Sequence, residues 1–252
     1  EDRRQRQMCI RDSIRSRGRL PLLVGGTMLY LKALTEGLDP LPAADPAVRA
    51  ELEALAAERG WPALHAELAR VDPRTAARLP PGDTQRIQRA LEVWRLTGTP
   101  LSSLHRNVNA AAHPTAQEMR AIVVSMEPQS RHWLHQRIDD RLRLMWQQGF
   151  VEEVRKLAAD ARMRPEMPAL RAVGYRQTIE ALATRSEADV PLEQDPSAQS
   201  ALHDRCAAAT RQLAKRQMTW LRGLTERVQV ACDAENSRET VLDLAFVHWP
   251  SP

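Results

Sequence analysis

Lysine is nearly absent from this basic chain: of 36 basic residues, only Lys32, Lys156 and Lys215 are lysines. The remainder are arginines, and with alanine equally abundant the bias points to GC-rich coding before it points to a nucleic-acid surface. Where an arginine sits therefore counts for more than how many there are. Cysteine is as scarce, with Cys9, Cys206 and Cys232 alone. That excludes a disulfide framework or a four-cysteine zinc site and fits a reducing cytoplasm. No run of about 18 apolar residues occurs, so no segment reads as a membrane-spanning helix. Repeats and low-complexity tracts are missing too. So are the GxSxG, HExxH, CxxC and EF-hand signatures and the GxxxxGK(S/T) phosphate loop.

What is present is enough for a full core, with 43% hydrophobic residues in 252. A net charge of +4 and a pI near 9.3 permit an anionic partner. Residues 1–13 stand apart. They lack apolar periodicity, carry Arg3, Arg4, Arg6 and Arg11, and resemble a translated sequencing adapter, so they are expected to be a non-native segment outside the fold. The natural chain would then start upstream of Ile14.

Leu20 to Val24 is apolar apart from Pro21 and runs straight into Gly25-Gly26-Thr27. The run reads as a strand buried on both faces, turning sharply into a helix from Met28. Ligands sit at such strand ends in parallel sheets. Asp45-Pro46 opens a helix to Gly60, Trp61 to Val71 a second, Asp72-Pro73 a short third. Asp83 caps a fourth to Leu96, and Pro100 opens a short one to about Asn107. Residues 108–119 read as a connection. Arg120 to Met126 is the next strand. Ser130 begins a long helix, Val151 to Ala159 forms another, and a helical stretch covers Leu170 to Ala183. Thr184 to Ser200 reads as a loop. The last long helix, Ala201 to Leu224, places Leu202, Cys206, Ala209, Leu213 and Trp220 on its apolar face. Leu244 to Trp249 carries a weak strand signal.

Four clusters combine arginine with amides or aromatics: residues 83–89, 137–141, 171–177 and 215–222. Guanidinium suits phosphate, amides suit base edges and rings stack on bases. The plain alternative is a solvated face, with Ile87, Val173 and Trp220 as core residues inside the motifs. Asp139-Asp140 could meet Mg²⁺, but neighbouring helical carboxylates diverge, and ion pairing is the expected outcome. His132 and His135 read as surface residues.

In combination and order, LLVGGTMLYLKALTEGLDPLP, ADPAVRAELE, GDTQRIQRALEVWRLTGTPLS, HQRIDDRLRLM, LRAVGYRQ and RQLAKRQMTWLR resemble the bacterial tRNA dimethylallyltransferase family from Ser16 to Trp249. The resemblance implies an α/β fold: a phosphate-loop-kinase-like parallel sheet core, incomplete here, with an inserted all-helical domain and mostly α structure in this chain. It divides the chain into part of the core (14–44), the inserted tRNA-binding domain (45–115) and the remainder with C-terminal helices (116–252). It implies a cytoplasmic, nucleotide-binding, monomeric enzyme with Mg²⁺ as cofactor. Such an enzyme moves a dimethylallyl group from dimethylallyl diphosphate to N6 of an adenosine beside the anticodon in a tRNA anticodon stem-loop. By the same resemblance Arg137, with Arg141 second, serves the diphosphate. Thr27, Arg49, Gln85, Arg86, Ile87, Gln88 and Arg89 contact tRNA, as do Arg171, Ala172, Val173, Gly174, Tyr175 and Arg176. Lys215, Arg216, Gln217, Met218, Thr219, Trp220, Leu221 and Arg222 complete that surface. The family's phosphate loop and general-base Asp belong upstream of Leu20 and are not in this sequence, so the chain is expected to be inactive alone. Two rivals stand beside this reading: a non-catalytic helical RNA-binding module and a fragment of a phosphate-loop nucleotide kinase.

Overall fold

Aspartate followed by proline opens three helices. Proline presets the first helical φ and needs no donor there, while the carboxylate takes the free amides of the first turn. Asp45 accepts from the amides of Ala47 (2.8 Å) and Val48 (3.2 Å), Asp72 from Thr75 (3.0 Å) and Asp195 from Ala198 (3.0 Å). The computed structural model describes residues 2–35, 39, 41–104, 122–163, 167–185, 190–224 and 226–247, the side chains of 2–8 and 35 excepted.

The elements are α1 (Asp2–Ser16), α2 (Met28–Thr35), α3 (Pro46–Arg59), α4 (Trp61–Val71), α5 (Pro73–Ala76), α6 (Thr84–Thr97) and α7 (Leu101–Leu104). Then come β1 (Val124–Glu127), α8 (Arg131–Gln147), α9 (Phe150–Ala159), α10 (Tyr175–Ala183), α11 (Pro196–Arg222), β2 (Val228–Ala231) and α12 (Ser237–Val247). A 3-10 turn at Leu192–Gln194 precedes α11. The chain divides into two compact units, Leu29–Ala121 and Glu1–Met28 with Ile122–Pro252. The first is wider than the 45–115 block.

The helical unit packs α3, α4 and α6 against one another. Leu52, Leu64, Leu68, Ile87, Leu91 and Val93 form its centre, with Ala76, Ala90 and Leu101 at the edge. Gly98 ends α6 in the left-handed region (φ 66°), a conformation that favours glycine. In the second unit α8 and α11 pack together and α10 lies on α9 and α11. Ile138, Leu142, Val151, Leu192, Leu202, Cys206 and Ala207 fill the core. The sheet is parallel, α/β in kind within a mostly helical chain, with Val124 opposite Val228 and Glu127 opposite Ala231.

Several expectations change. Residues 20–24 form no strand, because an apolar run becomes one only where a neighbour takes its backbone groups. Among the described residues β1 and β2 pair with each other alone. Leu22 and Val24 are 81% and 89% exposed. The expected strand at 244–249 is helical through Val247, since Val241, Leu244 and Ala245 turn inward with helical spacing. Its last two residues lie outside the described residues. Strand β2, too short to stand out, was not anticipated. Helix α11 starts at Pro196, inside the expected loop, on the same Asp-Pro signal as α3. The stretch expected to be helical from Leu170 becomes regular only at Tyr175. Helix α1 runs through residue 13 without a break, as Arg, Gln and Met favour helix, and Ile10 is exposed. The strand expected over Arg120 to Met126 is seen only as β1, Val124–Glu127, and its first two residues, like 108–119, lie outside the described residues.

Candidate nucleic-acid interface

In the helical unit the arginine cluster sorts by partner. Ile87 is a core residue with no exposure. Arg49 and Arg89 converge on Glu92, which is fully buried. Arg49 donates Nε to Oε1 (2.8 Å) and Nη2 to Oε2 (3.1 Å), and Arg89 donates Nη1 to Oε2 (2.7 Å). The Asp45 amide adds a bond to Oε1 (2.9 Å), and Arg89 Nη2 reaches the Pro42 carbonyl (2.7 Å). Burial pushes the Glu92 carboxyl up, but the two guanidiniums and the amide outweigh it and hold the group below its ordinary value. Glu92 raises the pKa of Arg49 in return. Gln88 is half-buried and bonds Glu53 Oε1 (3.0 Å). Gln85 and Arg86 face solvent, Arg86 donating to Asp83 Oδ2 (3.1 Å).

In the second unit, two motifs far apart in sequence meet. The Gln217 side chain on α11 donates to the Gly26 carbonyl (2.8 Å). A Cβ at Gly26 would stand 2.6 Å from Gln217 Nε2, the far end of a flexible side chain, so a larger residue there would displace the amide from this bond. Thr27, next in the turn, is exposed, as are Lys215, Arg216, Thr219 and Arg222. Thr219 Oγ1 bonds back to the Lys215 carbonyl (2.9 Å). Met218 and Leu221 are half-buried. Trp220, expected in the core, is 45% exposed: α11 is buried at Leu202, Cys206 and Ala207 and emerges from its packing towards its C-terminus.

The 171–176 motif is chiefly a helix start. Gly174 has φ 94° and lies against Phe150, whose Cζ would be 3.3 Å from an added Cβ. Its amide donates to Gln177 Oε1 (2.8 Å) and its carbonyl accepts from Thr178 Oγ1 (2.9 Å). Tyr175 stacks edge-on with Phe150 and donates to Glu153. That bond, then burial, raises the phenol pKa. Val173 is only half-buried, while Arg171, Ala172 and Arg176 are exposed, Arg176 lying 3.8 Å from Glu180.

Arg137 and Arg141 are exposed on α8. The Arg137 guanidinium lies over the Trp133 ring at 5.6 Å, a contact that fixes its direction. The start of α8 is held by Asp233, whose carboxylate accepts from the amides of Gln129 (3.0 Å) and Ser130 (2.7 Å). Asp139 pairs with Arg211 (3.7 Å) and Asp140 with Arg143 (2.7 Å). Among the described residues no three metal-ligating side chains converge. A metal held by three such side chains therefore has no ligand set among them, while the Mg²⁺ that the resemblance implies, if shared with a diphosphate, would need only one or two carboxylates.

Three partners were overlooked in the sequence. Glu92 sits inside an apolar run, Leu91 to Val93, where a lone carboxylate flanked by core residues is itself a signal. Glu127 is buried in β1, accepting from Arg227 Nε (2.7 Å) and Ser125 Oγ (2.7 Å). Burial raises its pKa, and these bonds more than reverse that. Asp233 carried no local mark.

The family model described as IPP transferase matches residues 3–224. A tRNA dimethylallyltransferase of Paracidovorax citrulli is 57% identical over 228 residues, 90% of this chain and 63% of that protein. The chain thus spans somewhat less than two thirds of that relative's length. The crystal structure of a full-length tRNA isopentenylpyrophosphate transferase from Bacillus halodurans is similar at TM-score 0.53 and 28% identity, covering 94% of this chain and 68% of that one. A eukaryotic dimethylallyltransferase captured acting on tRNA shares the fold at TM-score 0.63 and 20% identity, over 95% of this chain and 60% of that one.

Proposed function

The chain belongs to the IPP transferase family, and on that premise we propose that it serves the transfer of a dimethylallyl group from dimethylallyl diphosphate to N6 of an adenosine beside a tRNA anticodon. The observation that carries the reading is the Gln217–Gly26 bond, which joins the GGT turn, where Thr27 is exposed, to the 215–222 motif, where Lys215, Arg216 and Arg222 are exposed. Lys215, Arg216, Arg222, Arg171 and Arg176 offer N–H groups to RNA phosphates, and Trp220 offers a ring on which a base can stack. The target adenine must leave its stack to react. Diphosphate departs readily only when its charge is neutralised, and Arg137, stacked on Trp133, is the guanidinium assigned to it, with Arg141 beside it on α8. No helix among the described residues is long and apolar enough to cross a membrane, and we place the protein in the cytoplasm as a monomer.

The sequence contains no GxxxxGK(S/T) loop. The chain as it stands is therefore assigned RNA binding without transfer, the outcome that a non-catalytic module would also give. Titration with an anticodon stem-loop separates the parts. Arg216→Ala and Arg222→Ala should each weaken binding by about 1 kcal/mol and flatten its salt dependence. In a chimera supplied with a relative's phosphate-loop segment, transfer should appear. Arg137→Ala should then raise the barrier by about 3–4 kcal/mol with little change in RNA affinity. Transfer by the unaltered chain, or no affinity for the stem-loop, would overturn this reading.

A further inference from the structure

Among the described residues of the helical unit, Glu92 is the one carboxylate that two of the arginines assigned to RNA share. It has no exposure, yet it receives four hydrogen bonds: two from Arg49, one from Arg89 and one from the Asp45 amide. Arg49 spends Nε and Nη2 on it, and Arg89 spends Nη1 on it and Nη2 on the Pro42 carbonyl. Arg49 Nη1 and Arg89 Nε carry no protein hydrogen bond among the described residues. The two side chains keep 42% and 28% of their surface open. A guanidinium has five N–H groups in a rigid fork, so fixing one edge fixes the direction of the other. Two cations share one buried anion, with the exposed Glu53 carboxylate also acting on Arg49, and the residue supplying the shared anion never meets solvent.

We propose that Glu92 is a positioning residue: it locks the guanidinium planes of Arg49 and Arg89 so that their unused edges form one preformed grip for an RNA phosphodiester. The proposal rests on the functional reading above. Through Asp45 and Pro42 the same carboxylate network ties the segment before α3 to α6, so the grip and that segment hold a single geometry. Freely rotating arginines would lose side-chain entropy on meeting a phosphate, and these two have lost it already.

The sign of one substitution tests this. Glu92→Gln removes a negative charge beside the phosphate site, so charge alone predicts tighter binding of an anticodon stem-loop. Positioning predicts the reverse, a loss of about tenfold, the size of one or two charge-assisted contacts. The guanidinium N–H signals of Arg49 and Arg89 should be sharp and slowly exchanging in the unaltered chain and average out in the variant. If Glu92→Gln fails to fold, Arg89→Lys keeps the charge and removes the fork, and it should weaken RNA binding comparably. Unchanged or tighter binding in the folded variant, or in Arg89→Lys, overturns the proposal while the functional reading stands. No stem-loop affinity in the unaltered chain overturns the functional reading and the positioning role with it.

Discussion

The helical unit and the sheet-bearing unit treat their buried groups differently. In the helical unit the largest apolar side chains on the facing sides of α3, α4 and α6 are closed off, and its two buried carboxylates have full sets of donors. Glu92 takes the bonds described above, and Asp72 accepts from the Thr75 amide (3.0 Å), Thr75 Oγ1 (2.7 Å) and the Ser102 amide (2.8 Å). In the other unit Leu22, Leu23 and Val24 lie open, Phe246 and Val247 project from α12, and the buried Trp146 Nε1 and His203 Nε2 have no hydrogen-bond partner among the described residues. Helices satisfy their own backbones, so a bundle closes once its apolar stripes meet. A strand must borrow its hydrogen bonds from another strand, and residues 20–24 have none to borrow from.

The sharpest way to break this contrast is to make a hole. Leu68 has no exposure, and Leu68→Ala should cost the helical unit about 2–5 kcal/mol, read as a lower denaturant midpoint of its helical signal. A loss under 1 kcal/mol, on the order of a surface change, would mean that the core is looser than its packing implies.

Acid should act next, with a smaller effect. Folded Glu92 and Asp72 hold their protons less tightly than unfolded ones, so the unfolded chain binds more protons in the acid range. Their stabilisation is present above the ordinary values of 4.5 and 3.8 and is lost as pH falls through the lower folded values. Glu127 behaves alike in the sheet-bearing unit. Melting followed from pH 6 to about pH 3 should show the loss, and Glu92→Gln should flatten it for the helical unit alone. An equal pH slope in that variant would show that Glu92 contributes nothing to it.

The smallest effect belongs to the open segment. Leu22→Ala removes as many atoms as Leu68→Ala but should shift stability by no more than about 0.5 kcal/mol. A cost near that of Leu68→Ala would erase the difference between the units.

How much could be read from the sequence follows the same divide. Asp45, Asp72 and Asp83 announce their helices through local chemistry, and Trp61–Val71 was legible to the residue. Asp195-Pro196 gave the same signal but was hidden by the polar stretch before it. Ile87 declared itself core by helical spacing. Trp220 has that spacing too, yet spacing shows which side of a helix a residue occupies and not whether anything covers that side. The partner that decides what Arg49 can do, Glu92, comes from 43 residues away, and the buried Glu127 finds Arg227 100 residues on, both beyond any local pattern. Motif order could mark Arg49 and Arg89 as RNA-facing but could not show that a buried anion stands behind both.

The bond between Gln217 and Gly26 also dictates a schedule. The two residues are 191 positions apart, so a ribosome adding about 5–20 residues per second makes the second roughly 10–40 s after the first. Residues 41–104 can emerge and close their bundle within that interval, because the core cluster described there is drawn from residues 41–104 alone. The glycine turn is synthesised before that bundle and takes its fixed shape only when nearly all of the chain has been made. Leu22 to Val24 gain no cover when that wait ends, since all three are still exposed in the folded unit.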